Sequence, residues 1–499
     1  MRYILALDQG TTSSRSIIFS ENGEAVAAAQ REHTQIFPKS GWVEHDPEEI
    51  WHAQSATAVE AVAKAGISRA DIASVGITNQ RETAVIWDKN TGEPIYNAIV
   101  WQDRRTSSFC DLVRSQHGER IRELTGLEVD AYFSASKIRW LLDKIPEARA
   151  KALSGELAFG TIDTWLLWKL TGGRVHATDT SNASRTMLYD IRALQWSDEL
   201  LDIFDIPHMI LPEVVDSVGH CGEVAAIPEL SGLMIGGAAG DQQAALFGQG
   251  CFEDDSAKCT YGTGCFLLKN TGSTPRFSSN RLLTTIGWKI GSDTAYSLEG
   301  SVFIGGAVVQ WLRDSLGIIE RSADVEHLAA EAADNGGVYF VPAFAGLGTP
   351  YWDQDARGII VGLTRGTGRA HIARAALESI AHQTADLVTA MNADSGSELT
   401  ELRVDGGAVE NGLLMQIQAD LLQIPVVRSK VRETTALGAA YMAGLAAGVW
   451  QSTEEIASHW QADKVFEPEI SADEAAARTE RWNEAVQRSL SWEKKSGAV

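Results

Sequence analysis

The stretch DQGTTSSR, Asp8 to Arg15, follows the apolar run Tyr3 to Leu7 and precedes another, Ser16 to Phe19. Its counterpart YGTGCF, Tyr261 to Phe266, runs into the apolar segment Phe266 to Leu268. In each, glycine permits a tight turn and close approach of a bulky anion, while threonine and serine hydroxyls and free amides supply donors. A single Gly-Thr turn is common in ordinary hairpins. Two of them, in halves of similar size, predict a phosphate chain gripped from both sides. Gly10 and Thr11 recur as Gly262 and Thr263, 252 positions later, through an ancient duplication or by coincidence.

Outward from these turns, short β-rich runs alternate with longer helical stretches, the mark of an α/β protein. Ile4 to Leu7, Ser16 to Phe19, Ser74 to Ile77, Ala84 to Trp87 and Ala98 to Val100 read as strands. Residues 47–65 read as a helix entered through Asp46 as N-cap and Pro47 at its first position. Lys137 to Lys144 and Ile162 to Leu170 read as further helices, and a Gly-bounded helix is expected over Ala239 to Gln249. A polar stretch, Glu253 to Ser256, then marks a boundary between residues 1–252 and 253–499. The second half restarts with strands at Lys258 to Tyr261, Phe266 to Lys269, Leu283 to Ile286 and Ala295 to Leu298. Helices from Ala370 to Met391 and Thr434 to Ala447 follow, and the tail from Thr453 reads as two acidic amphipathic helices.

The bulk properties narrow the class. At 499 residues the chain suits two domains of roughly 200–250 residues rather than one core. Forty-three basic against 66 acidic residues, a net charge of −23, disfavour nucleic acid and anionic membrane as partners. A nucleotide remains compatible, because a nest of amides and a metal ion outweigh the overall field locally. Five cysteines without any Cys-x-x-Cys argue against a disulfide framework or a zinc site. With no signal segment and no run of about 18 apolar residues, a reduced cytoplasm without membrane insertion is expected.

There is no Gly-Lys dipeptide, hence no Walker A loop, and no G-x-G-x-x-G, so any nucleotide must be held by another architecture. Asp8, at a strand end, is either a turn residue or a carboxylate holding Mg²⁺ through water. Asp241, in AAGDQQAALFG, is either a helix N-cap or a general base toward a substrate hydroxyl. Asn79, Gln80, Arg81 and Glu82 close an apolar run and suit a ligand with several hydroxyls, with Trp101 and Tyr132 offering an apolar face for its carbons. RVDGGAVENGLLMQ, residues 403–416, is strand, double-glycine turn and helix, in which Gly406 and Gly407 allow close approach and Asn411 could touch a ligand. GGAVVQWL, with Gly305, Gly306 and Gln310, has the same ambiguity. The histidines form no metal spacing.

Together these pieces resemble the FGGY carbohydrate kinases, within the actin/hexokinase-like ATPase superfamily, over nearly the whole chain. One family pattern is met in full by Gly358, Ile360, Gly362 and Leu363, then seven residues on by His371, Ile372, Ala375, Ala376, Leu377 and Glu378. A second, from Tyr132 through Ser134, Lys137, Ile138, Trp140, Leu141 and Asp143, departs only at Lys144, expected on a solvated helix face. DQGTTSSR, GWVEHDP, GITNQRET, NAIVWQ, NASRTM, AGDQQAALFGQ, TYGTGCF and RVDGGAV further resemble the members acting on glycerol. The resemblance implies two ribonuclease H-like domains, each a mixed sheet with flanking helices, closing on a ligand cleft. It implies ATP and Mg²⁺ as cofactors, glycerol as acceptor, sn-glycerol 3-phosphate as product, and a homodimer or homotetramer.

Position by position, the resemblance gives glycerol to Arg81, Glu82, Tyr132, Asp241 and Gln242, with Trp101 and Phe266 against its carbons. It gives the phosphates to Thr11, Thr12, Ser13, Arg15 and Thr263, and the rest of the nucleotide to Gly306, Gln310, Gly407 and Asn411. Asp8 would position Mg²⁺ and Asp241 would be the base. A kinase for another polyol or ketose, such as erythritol or xylulose, is the alternative within enzymes. An ATP-driven scaffold is the alternative outside them. Ala225 to Met234 carries no basic residue, so anion regulation through that loop is not expected, and His220 lies in a segment unlike the phosphorylated one of other relatives.

Overall fold

The computed structural model describes residues 2–493. Two mixed sheets organise it. The first, of five strands, runs in the order Ile235–Gly240, Ile72–Asn79, Tyr3–Gln9, Ser13–Ser20, Ala25–Glu32. The last three are antiparallel neighbours, while Ile72–Asn79 and Ile235–Gly240 add in parallel. The second sheet contains the same succession, Val426–Ser429, Leu402–Asp405, Ala257–Tyr261, Cys265–Gly272, Asp293–Val302, with equal strand senses and an extra strand at each edge. The two Gly-Thr turns therefore join topologically equivalent strands.

Local chemistry explains the elements that were expected. Asp46 caps the helix Pro47–Ala65 by accepting the Glu48 N–H at 2.8 Å, and Gly66 ends it in the left-handed region at φ 66°. Ile162–Leu170 is a helix with the bounds expected, and Lys144 ends the helix Ser134–Lys144 on an exposed face. Two expectations need correction. Ala239 to Gln249 is not one helix: Ile235–Gly240 is a strand, and the helix is Asp241–Gly248 with Gly240 as its cap. That strand reads IGGAAG, whose small residues disguise it, and they are small because the helix Thr434–Ala446 lies directly on it. The tail is a helix Thr453–His459, an edge strand Ala462–Phe466, and a helix Ala472–Ser489. The strand's residues are mostly exposed and its polar pair, Asp463 and Lys464, sits together, so no apolar alternation announces it.

The lobes are joined by exchanged helices. Thr434–Ala446, which follows the second sheet's strand Val426–Ser429, packs on the first sheet, where a Cβ at Gly76 would lie 2.1 Å from the Ala439 carbonyl oxygen. Asp241–Gly248 faces the second sheet through Phe247, whose ring meets Trp288 edge-on at 5.3 Å. Where these two helices cross, a Cβ at Gly248 would come within 2.0 Å of the Thr434 carbonyl oxygen, and one at Gly438 within 1.8 Å of that of Ala244. Around the crossing a shared core gathers Ile4, Ala6 and Phe19 of one sheet with Leu268 and Trp288 of the other.

Candidate active site

The lobes enclose a cleft of about 1230 Å³ at the turn end of both sheets. Thr11, Thr12, Arg81, Glu82, Trp101, Tyr132, Asp241, Gln242, Thr263, Phe266 and Gln310 all line it. Asp8, Ser13, Arg15, Gly306, Gly407 and Asn411 are not in its wall. Arg15 pairs with Glu433 of the other lobe and donates to Gln30 at 3.1 Å, and Ser13 accepts from Gln30 at 3.0 Å. Asn411 caps the helix Gly412–Leu422, accepting the Leu414 N–H at 2.8 Å. The Gly306 N–H donates to the Gly262 carbonyl at 2.8 Å, seating the second turn on the helix Ala307–Asp314.

Glycine at the two turns is not demanded by backbone conformation: neither Gly10 nor Gly262 has a positive φ. A Cβ would meet nothing nearer than 3.3 Å at Gly10 and 3.6 Å at Gly262. Bare backbone there leaves room for something other than protein, which suits a phosphate cradle.

Three rings frame the apolar side. Trp101 meets Tyr132 at 5.6 Å and Phe266 at 6.3 Å, both edge-on, and its indole N–H is fixed on the Thr11 hydroxyl at 2.9 Å. Tyr132 is held in turn by Lys137, a residue of the second family pattern, whose buried ammonium donates to the carbonyls of Ala131, Tyr132 and Phe133 at 2.5, 2.7 and 2.9 Å. Burial brings that lysine down to about 8.

The polar side is an ionic network that sequence reading only half identified. Arg81 grips Glu299 with both terminal nitrogens, at 2.6 and 2.9 Å, and its Nε lies 3.2 Å from Asp241. Arg185 donates to Glu299 at 3.0 Å and to Glu82 at 2.7 Å. All four of Arg81, Glu82, Arg185 and Glu299 are buried. Glu299 comes from the second lobe, so this network also ties the lobes together. Arg185 lies in NASRTM, a segment of the resemblance, whereas Glu299 sits in a strand with no motif. Glu82 has φ 61° and the Thr83 N–H closes back onto the Arg81 carbonyl at 2.7 Å, a strained turn of the kind found at ligand sites.

Electrostatics separates the carboxylates. Burial raises Glu82, against Arg185 and Arg81. Glu299 is equally buried, yet the two arginines bring it down to about 2. Burial raises Asp241, opposed by Arg81, Lys258 and the Gln242 N–H at 2.8 Å. Gln243, beside it, turns inward to Thr285 and the Ile286 carbonyl, so only Gln242 of the pair faces the cleft. The Asp8 carboxylate takes no hydrogen bond from the described residues; burial, with Glu433 and Asp241 adding, lifts it to about 7 against Arg15. A carboxylate so placed fits a cation supplied with a ligand. Among the described residues no group of three or more His, Cys, Asp or Glu could hold a metal unaided. All five cysteines are buried and free, and no described helix is long and apolar enough to cross a membrane.

Residues 3–248 match the N-terminal domain, and residues 257–447 the C-terminal domain, of the FGGY family of carbohydrate kinases. The chain is similar to a glycerol kinase of Chromobacterium violaceum, 59% identical over 98% of both chains. It is 58% identical to glycerol kinase 2 of Thermotoga maritima over 99% of this chain and all of that one. Among solved structures it resembles Plasmodium falciparum glycerol kinase with ADP, at a TM-score of 0.91 and 38% identity over 98% of each chain. A ligand-bound xylulose kinase of Lactobacillus acidophilus follows at a TM-score of 0.87 and 25% identity over 98% of each. With a two-lobed α/β fold, a cleft between the lobes and family matches across most of its length, the chain belongs to the FGGY family of carbohydrate kinases.

Proposed function

We propose that the chain transfers the terminal phosphoryl group of ATP to glycerol, giving ADP and sn-glycerol 3-phosphate. One observation carries the reading. Arg81, Glu82, Trp101, Tyr132, Asp241 and Gln242 of the first lobe meet Phe266 of the second in the same cleft that Thr11, Thr12 and Thr263 line. A polyol site thus abuts a phosphate site. The many relatives bearing the name glycerol kinase, 57–59% identical, favour glycerol over erythritol or xylulose.

Glycerol's hydroxyls pair with the donor Arg81 and the acceptor Glu82, and its carbons lie against Trp101 and Phe266. Asp241 accepts the proton of the attacking hydroxyl as the new O–P bond forms, while the bond to the bridging oxygen breaks and that oxygen leaves with ADP. Arg81, 3.2 Å away, favours the charged form that this requires, against the burial that raises Asp241. Thr11, Thr12, Ser13, Arg15 and Thr263 hold the phosphates, and Gly306, Gln310, Gly407 and Asn411 the remainder of the nucleotide. For Ser13, Arg15, Gly306, Gly407 and Asn411, the ligand would be met after local rearrangement or closure, since they stand outside the cleft wall that Gln310 lines. A magnesium ion, held by nucleotide phosphates and through water by Asp8, would neutralise phosphate charge. We place the lobes at 1–252 and 253–499, closing to exclude water, in a homodimer or homotetramer.

The test is ADP formation over a panel of polyols, with and without Mg²⁺. Turnover that requires both glycerol and Mg²⁺ is expected. ATP turnover independent of glycerol, or preference for a longer polyol, would overturn the reading.

A further inference from the structure

Lys258 is fully buried, yet its ammonium reaches no carboxylate closely enough for an ion pair among the described residues. On the strand Ala257–Tyr261, Ala257, Cys259 and Tyr261 enter the second lobe's core, which turns Lys258 and Thr260 to the opposite face. There Lys258 crosses to the other lobe and donates to the Gln242 side-chain oxygen at 2.5 Å, and to the Thr260 hydroxyl oxygen at 2.9 Å. Both partners line the cleft. Asp405 and Asp241 act on the lysine through space, and burial nevertheless lowers its proton affinity.

The chemistry of the three groups fixes their polarity. An ammonium has three donors and no acceptor, so the amide atom it meets is Oε1, and the NH₂ end of Gln242 is left for the cleft. A hydroxyl that accepts from an ammonium is likewise directed to donate elsewhere. One donor-only cation therefore orients an amide on the first lobe and a hydroxyl on the second toward acceptor oxygens in the cleft. An uncharged side chain at 258 would leave the amide free to flip and the hydroxyl free to rotate.

We propose that Lys258 is a positioning residue of the phosphoryl transfer, aligning Gln242 and Thr260 as donors to substrate oxygens from opposite lobes. This rests on glycerol being held at Gln242. A buried cation without a carboxylate partner costs stability, so its role is paid for in function rather than in folding.

The experiment compares the parent chain with Lys258→Met, Gln242→Ala and the double variant, measuring KM for glycerol, KM for ATP and Tm without ligands. Lys258→Met is expected to raise the glycerol KM about ten- to hundredfold, the loss of a charge-assisted hydrogen bond, with ATP KM changed less than about twofold. On the Gln242→Ala background the same change should add little, because the lysine acts through that amide. Tm of Lys258→Met should equal or exceed the parent's. An unaltered glycerol KM, full additivity of the two substitutions, or a lower Tm with both KM values rising together would each overturn the proposal, and so would failure of Lys258→Met to fold. Because Tm is read without substrate, a parent inactive on glycerol would refute the proposed function while the stability arm still decides the fate of the lysine.

Discussion

Glu299→Gln removes one charge and no volume from the place where the lobes meet. The carboxylate accepts from both terminal nitrogens of Arg81 and from Arg185, and all three side chains are buried. A carboxylate held at about 2 instead of its ordinary 4.5 contributes on the order of 3 kcal/mol at neutral pH. Breaking a buried ion pair from one side costs about 3–5 kcal/mol on mutational grounds, so the two routes agree. The sign follows from the lowered pKa: this stability is present above about 4.5 and is lost as pH falls toward about 2. Thermal unfolding of parent and variant should therefore differ most at pH 6–8, by about 6–20 °C if each kcal/mol moves Tm about 2–4 °C, and the gap should narrow as pH drops below about 4. Glycerol KM should rise as well, because Arg81 and Arg185 would face each other with the intervening charge gone. Equal Tm values at neutral pH, or a gap that widens in acid, would refute the network's role.

Asp241→Asn should retain glycerol binding by calorimetry yet lose about 10²–10⁴-fold in kcat, the range of a general base; near-normal turnover would remove Asp241 from the chemistry. Arg81→Leu should impair glycerol use far more than nucleotide binding, and an equal loss of both would indicate a folding defect. Asp8, raised to about 7 from an ordinary 3.8, makes the ligand-free chain less stable as pH rises through that interval, because the folded form keeps a proton that the unfolded form releases. Asp8→Asn should flatten that slope in pH-dependent melting and raise the Mg²⁺ concentration needed for half-maximal turnover. Gly438→Ala places a methyl 1.8 Å from the Ala244 carbonyl oxygen, so Tm should fall clearly more than for an exposed Gly→Ala change; an unchanged melt would show that the helix crossing yields easily.

Much of this arrangement was legible because local rules govern it. The turns at Asp8 and Tyr261, the helix from Pro47 and the polar cluster at residues 79–82 announce themselves through neighbours in sequence. Glu299 does not: its partner Arg81 is 218 positions away, and a glutamate in a strand is more often a solvated residue than one side of a buried network. Lys258 was hidden because a lysine in a strand is likewise more often a solvated residue than a buried one. The strand Ile235–Gly240 escaped because its glycines and alanines answer to a helix from the other lobe, a partner that propensity cannot see. The tail's edge strand escaped because pairing with Val426–Ser429 uses its backbone, while its side chains remain mostly exposed. Arg15 pairs with Glu433 across the lobes, a contact between residues far apart in sequence, so a nucleotide phosphate would compete with that carboxylate for it.

The exchanged helices make each half a lodger in its neighbour's house. A protease nick near Glu253 would not yield two self-sufficient pieces, since either one would depart without a helix that its own sheet needs as a roof. Relative motion is channelled too: with carbonyls seated against α-carbons that bear no side chain at Gly248 and Gly438, pulling straight apart must strip both contacts at once, whereas swivelling about the crossover spares them. Such a crossing is an axle on which closing jaws would pivot.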